Sequence, residues 1–209
     1  RYAAFSPDGK TLATIEGRGA IRLRGTAEGR TALVIDCDVD ADARSLFVSY
    51  SPDGKVLAAP HGKGVGLWET ATGQQLMVMV PDGDWDQSPV AFSPSGTILA
   101  CASREGIQLF DCKTGRAGQR FKGSSCDSVG FLPDGQRVVA AGGGDVRRMD
   151  VVTGNERILV ENADLDIVAL ACPPRGEHFA VGDRKGSIRL YDAKTGGVIG
   201  TYESLGGSI

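Results

Sequence analysis

Carboxylates are the side chains this sequence places at spacings that invite chemistry. Asp36, Asp38, Asp40 and Asp42 alternate along seven residues, and Asp82, Asp84 and Asp86 alternate around Trp85. Asp127, Glu161, Asp164 and Asp166 bring these groups to eleven of the chain's 26 acids. Three readings suit such sets: a solvated polar rim, a docking surface for a basic segment, or oxygens gathered on calcium. No Gly-then-Glu completion of a calcium loop follows either run. Trp85 beside three charges has the composition of an interface hot spot. Cations stand in other short loops, namely Arg18, Lys63, Arg104, Arg184 and Lys185. They either balance the neighbouring acids or recognise an acidic or phosphorylated peptide.

Signs of catalysis are sparse. His61 and His178 are the only histidines, and GxSxG, HExxH and Walker patterns are absent. Gly142-Gly143-Gly144 lacks the following helix whose N-terminus would hold an anion, so it reads as a tight turn. Cys37, Cys101, Cys112, Cys126 and Cys172 include no CxxC pair and read as strand or turn residues. Free thiols lean towards a reducing, cytoplasmic compartment. No catalytic residue, metal ligand or cofactor site is assigned. The net charge of −3 offers no basic footprint for nucleic acid. No apolar run approaches the roughly 20 residues of a membrane helix. No charged-then-apolar leader opens the chain, and Arg1 in place of a start methionine reads as an excised segment or a processed product.

The elements that position these loops follow from self-similarity. Phe5-Ser6-Pro7-Asp8-Gly9 returns as Tyr50-Ser51-Pro52-Asp53-Gly54, Phe92-Ser93-Pro94-Ser95-Gly96 and Phe131-Leu132-Pro133-Asp134-Gly135, then in worn form at Cys172–Gly176. The corner glycines lie 45, 42, 39 and 41 residues apart. Proline presets φ near −65° and Asp-Gly supplies a tight reversal, so each motif is a hairpin corner between two strands. A third strand alternates, as in Ile21-Arg22-Leu23-Arg24, Val65-Gly66-Leu67-Trp68 and Ile107-Gln108-Leu109-Phe110. A Thr-Gly turn then leads to a fourth strand. No stretch keeps a helical spacing past two turns.

The joint recurrence of Phe-Ser-Pro-Asp-Gly, Leu-Ala, Ile-Arg-Leu-aromatic-Asp and Thr-Gly over nearly the whole chain resembles WD40 repeats. The Ser-Pro-Asp-Gly turn is shared with bacterial propeller repeats of periplasmic and quinoprotein-like proteins. Only Trp68 keeps the family tryptophan, its place being held elsewhere by Arg24, Phe110, Met149 and Tyr191. No Gly-His precedes a first strand, and Arg18, Lys63, Glu105 and Lys185 stand where the family has a loop Asp. Packing between blades must therefore carry the stability.

The resemblance implies an all-β fold, a β-propeller of four-stranded antiparallel blades. Residues 1–209 form one segment, with blades at 1–43, 44–88, 89–127, 128–166 and 167–209. Five blades are expected to be part of a larger ring. The function implied is a non-catalytic scaffold of bacterial type that binds a protein or peptide, with further blades or fused domains as other partners. It involves no nucleic acid and no membrane insertion. Its binding residues are expected on one rim, at Arg18, Asp36, Asp38, Asp40, Lys63, Asp82, Asp84, Trp85, Asp86, Arg104, Arg184 and Lys185. The alternative is a segment of a propeller enzyme, a lactonase or quinoprotein-like oxidoreductase, with its site in the central channel.

Overall fold

The computed structural model describes residues 3–16, 19–38, 47–62, 64–82, 89–123, 126–161, 166–173 and 175–203. Five four-stranded antiparallel sheets follow one another along the chain, and within each the strands pair in chain order. The first sheet holds β1 (Ala3–Phe5), β2 (Thr11–Glu16), β3 (Ala20–Gly25) and β4 (Thr31–Asp36). The second holds β5 (Ser49–Tyr50), β6 (Val56–His61), β7 (Gly64–Glu69) and β8 (Gln75–Met79). The third holds β9 (Val90–Phe92), β10 (Ile98–Ser103), β11 (Gly106–Asp111) and β12 (Ala117–Lys122). The fourth holds β13 (Ser128–Phe131), β14 (Arg137–Gly142), β15 (Asp145–Asp150) and β16 (Glu156–Glu161). The fifth holds β17 (Ile167–Ala171), β18 (His178–Asp183), β19 (Ile188–Asp192) and β20 (Val198–Tyr202). No helix occurs among the described residues.

Local hydrogen bonds explain the corners. Ser6 Oγ donates to Asp8 Oδ1 at 2.6 Å, the same oxygen accepts the Lys10 N–H at 3.0 Å, and Thr11 N–H donates to Ser6 Oγ at 2.9 Å. Ser51 and Asp53 repeat this arrangement in the second sheet. Gly54 closes its corner at φ 72°, a conformation open to glycine at little cost. In the fourth sheet a fully buried Leu132 replaces the serine, and Asp134 accepts the Gln136 and Arg137 N–H groups. The second turns use the same chemistry: Asp111, Asp150 and Asp192 each accept N–H groups two and three residues onward. Each pairing of third and fourth strands also carries one register shift. A bulge there sharpens the twist of the outer edge.

Period-two alternation sends successive side chains to opposite neighbours. On β6, Leu57 and Ala59 pack into the apolar cluster shared with the first sheet, while Ala58 packs into the one shared with the third. On β10, Leu99 and Cys101 face the second sheet, and Ala100 and Ala102 face the fourth. On β14, Val138 and Ala140 face the third, and Val139 and Ala141 the fifth. Four apolar seams thus hold five sheets in a row, and the first strands of consecutive sheets lie against one another. The corners keep the same order. A Cβ placed on Gly54 would lie 3.3 Å from Pro7 Cδ, one on Gly96 3.5 Å from Pro52 Cδ, and one on Gly135 3.6 Å from Pro94 Cδ. The Pro-x-Gly corners of the first four sheets therefore gather at one end of the molecule.

Seam contacts are close. The Trp68 ring covers Gly66, where a Cβ would collide with it. Its edge also meets His61, with ring centroids 5.7 Å apart. At the last seam Phe179 and Tyr191 stack at 5.3 Å. Arg148, at the position of Leu23, Leu67 and Leu109, donates across that seam to the Ala193 carbonyl at 2.8 Å.

Candidate functional site

The loops at the end opposite the corners comprise the turns between second and third strands and the linkers from each fourth strand to the next sheet. Backbone hydrogen bonds tie the two kinds together. Cys37 N–H donates to the Gly19 carbonyl at 3.2 Å, Gly123 N–H to Glu105 at 3.0 Å, and Arg184 N–H to Asp166 at 2.8 Å. The linker leaving the first sheet also reaches the second: Gly62 N–H donates to the Asp38 carbonyl, and Asp38 N–H donates to His61 Nδ1 at 3.3 Å. The linker leaving the first sheet is therefore latched to the turn of the second. This latch gives the imidazole a structural task.

Of the anticipated rim residues, Asp36, Asp38, Asp82, Arg104, Arg184 and Lys185 are placed on these loops or at the strand ends beside them, and all are exposed. Arg18, Asp40, Lys63, Asp84, Trp85 and Asp86 lie outside the described residues, as do Asp42 and Asp164. Asp127, Glu161 and Asp166 are exposed at the same end. Arg184 Nε meets Asp166 Oδ2 at 2.7 Å, and Arg120 Nη2 meets Glu105 Oε2 at 2.6 Å. The basic turn and acidic linker of the fifth sheet thus neutralise each other. Exposed pairs of this kind hold only about 0–1 kcal/mol, so a partner charge can displace them.

Sequence reasoning missed the corner end. Two clefts open there at consecutive seams. One, of about 490 Å³, is lined by Asp8, Tyr50, Pro52 and Thr70 among others. The other, of about 500 Å³, is lined by Pro52, Leu76, Phe92, Pro94 and Lys113 among others. The Tyr50 hydroxyl is buried and has no protein partner. Burial, aided by the Asp8 charge, pushes its pKa up to about 12, so it stays a neutral phenol. The one available signal was that Tyr50 alone adds a hydroxyl to the aromatic-Ser-Pro motif.

Three buried polar side chains also escaped notice. Asp183 accepts the Ser187 N–H at 2.9 Å and faces Arg189 at 3.3 Å. Arg147 pairs with Glu156 at 3.0 Å. Gln108 donates to the Gly118 carbonyl at 2.9 Å. Each stands at or beside a third strand and fixes it to its turn or to the fourth strand.

The thiols are inactive by environment. Burial pushes Cys37, Cys112 and Cys172 up to about 12 and Cys126 up to about 11, and raises Cys101 as well. Thiolate is the reactive form, so these groups behave as small apolar side chains. Among the described residues no three His, Cys, Asp or Glu side chains converge as metal ligands. No helix among them is long and apolar enough to cross a membrane. The chain matches no protein-family model and no curated protein sequence.

Proposed function

We propose that the five sheets are blades of a WD40-type β-propeller and that the chain acts without catalysis, binding a protein or peptide partner through its linker-end loops. The single observation that carries this reading is the latching of linkers to neighbouring turns, above all Asp38 to His61 and Gly62. Latched loops hold exposed charges in fixed positions, so less loop ordering is needed on binding. The sheets behind them supply a mount held together by four apolar seams.

Among the described residues, exposed acids (Asp36, Asp38, Asp82, Glu105, Asp127, Glu161 and Asp166) outnumber the exposed cations Arg104, Lys122, Arg184 and Lys185 at this end. The preferred partner segment is accordingly basic. Binding of a lysine- and arginine-rich peptide, followed by fluorescence anisotropy at low salt, tests the proposal. The D36N/D38N/D82N variant should weaken binding about tenfold, the sum of three exposed charge pairs of modest strength. Equal affinity in the variant, or no binding to the wild-type chain, would overturn the rim assignment.

A further inference from the structure

At the last seam the corner end carries charge where the other seams carry apolar side chains. In the second sheet Val56, just past the corner, and the paired Leu67 and Met77 join the apolar cluster shared with the third sheet. Leu23 and its partner Leu33 do the same in the first sheet, and Ile98 and Leu109 in the third. In the fourth sheet these places are held by Arg137, Arg148 and Arg157. Arg148 pairs in register with Val139 on one side and Arg157 on the other. Directly paired residues share a face, so both guanidinium groups lie on the side that Val139 turns to the fifth sheet. The three arginines line a cleft of about 230 Å³.

Their protein partners leave this charge unmatched. Arg137 is held by Asp134 through Nε and by Glu177 through Nη2. Arg148 and Arg157 meet no carboxylate at ion-pair distance among the described residues and rest on backbone carbonyls alone. Arg148 Nη1 donates to Ala193 at 2.8 Å and to Lys194 at 3.2 Å, and Arg157 Nη1 reaches Lys194 only at 3.5 Å. The charged face of the first sheet is built differently. There Arg24 donates to Thr14 Oγ1 at 2.8 Å and pairs with Glu16 at 2.7 Å, while Arg22 pairs with Glu16 at 2.9 Å. Like charges on directly opposed positions destabilise a sheet unless an anion joins them. The acids beside the cleft are engaged elsewhere: Asp150 Oδ1 accepts the Val152 and Thr153 N–H groups, and Glu156 pairs with Arg147 at 3.0 Å.

We infer that this cleft binds a small phosphorylated polyol, its phosphate monoester held by Arg148 and Arg157 with the Nη1 edge of Arg137. A carboxylate offers one planar edge to one guanidinium fork. A phosphate monoester offers three oxygens and a charge of about −1.5 to −2, which suits three forks arriving from three strands. The remaining lining residues, Asp150, Thr153, Asn155 and Glu156, are all polar and suit hydroxyl groups, and they give no apolar wall to a base or an acyl chain. The volume also falls below the roughly 300 Å³ at which pockets for drug-sized ligands begin. This site lies at the corner end, opposite the loops of the rim-binding proposal, so either can fail alone.

Glycerol 3-phosphate is the probe, titrated calorimetrically into the intact chain at neutral pH and low salt. Saturable binding is expected, with inorganic phosphate and glycerol each weaker by about tenfold or more. R157Q should weaken binding by about tenfold or more, the loss of one charge-assisted contact, while its melting temperature stays that of the wild type. R148L/R157M, which installs the Leu67 and Met77 pair of the second sheet, should still melt cooperatively and should not bind. Absence of saturable binding to the wild-type chain, or equal affinity in R157Q, would refute the site. Inorganic phosphate that binds as tightly as glycerol 3-phosphate would refute the polyol. A phosphoserine peptide that binds more tightly, and with the same dependence on Arg157, would make the occupant a phosphorylated protein segment and refute it too.

Discussion

Short polar side chains carry the turns, and their titration makes the fold acid-sensitive. Hydrogen bonds hold five aspartates below their ordinary 3.8: from Ser6 to Asp8, from Ser51 to Asp53, and from Thr114, Thr153 and Thr195 to Asp111, Asp150 and Asp192. A carboxyl with a depressed folded pKa contributes stability above its unfolded value and loses it as pH falls through the folded value. Thermal stability should therefore be flat near neutrality and decline below about pH 4. The D8N/D53N variant should show a shallower decline between pH 4 and 2 than wild type, measured by calorimetry. Parallel curves would show that these corners do not carry the acid response. The cysteines offer an independent residue-scale check. With thiols raised to about 11 or 12, Ellman's reagent at pH 8 should label essentially none of Cys37, Cys112, Cys126 and Cys172 in the folded chain, and all of them in urea. Rapid labelling of one of these thiols in the native chain would show that its seam opens.

At the scale of strands, alternation decides which neighbour each side chain meets, and the third strands anchor the seams. Trp68 is 2% exposed, bridges the first and second sheets, and rests on Gly66. Trp68→Ala should cost about 3–5 kcal/mol, the usual price of truncating a large buried ring. Gly66→Val should destabilise by about 1–3 kcal/mol or more, because a branched Cβ meets the indole ring. Urea unfolding monitored by circular dichroism reads both, and a change below 1 kcal/mol for Trp68→Ala would disprove its role as an anchor.

Much at this scale was legible in the sequence. The Ser-Pro-Asp-Gly and Thr-Gly turns are local chemistry, so period, strand number and antiparallel order could be read without tertiary information. The alternation of Leu57, Ala58 and Ala59 announces two covered faces. What could not be read depends on adjacency across seams or between loops. The bond from Arg148 to the Ala193 carbonyl, the burial of Asp183, the Thr14–Arg24–Glu16 network and the clefts beside Tyr50 all require knowing which sheet lies next to which. The acidic linkers were legible as composition, and their hydrogen bonds to neighbouring turns were not.

Among the described residues the apolar seams join each sheet to the next, which makes the row quasi-one-dimensional, so its stability is distributed along it. The second, third and fourth sheets are each clamped by two seams, and the first and fifth by one. The end sheets differ in kind as well. The first covers its free face with the Arg22–Glu16–Arg24 pairs, whereas the fifth leaves Ile188, Val198, Ile199 and Tyr202 in water. Apolar area left solvated gives no return for ordering the strand beneath it, so local opening should begin at the fifth sheet. Amide hydrogen exchange read by mass spectrometry should find β10 and β14 slowest, and β18 to β20 faster by at least roughly tenfold, with β2 and β3 between. Uniform protection along the row would mean that the chain opens as one cooperative body. In that case the seams, although separate in space, would be coupled through the linkers that the Asp38–His61 latch holds in place.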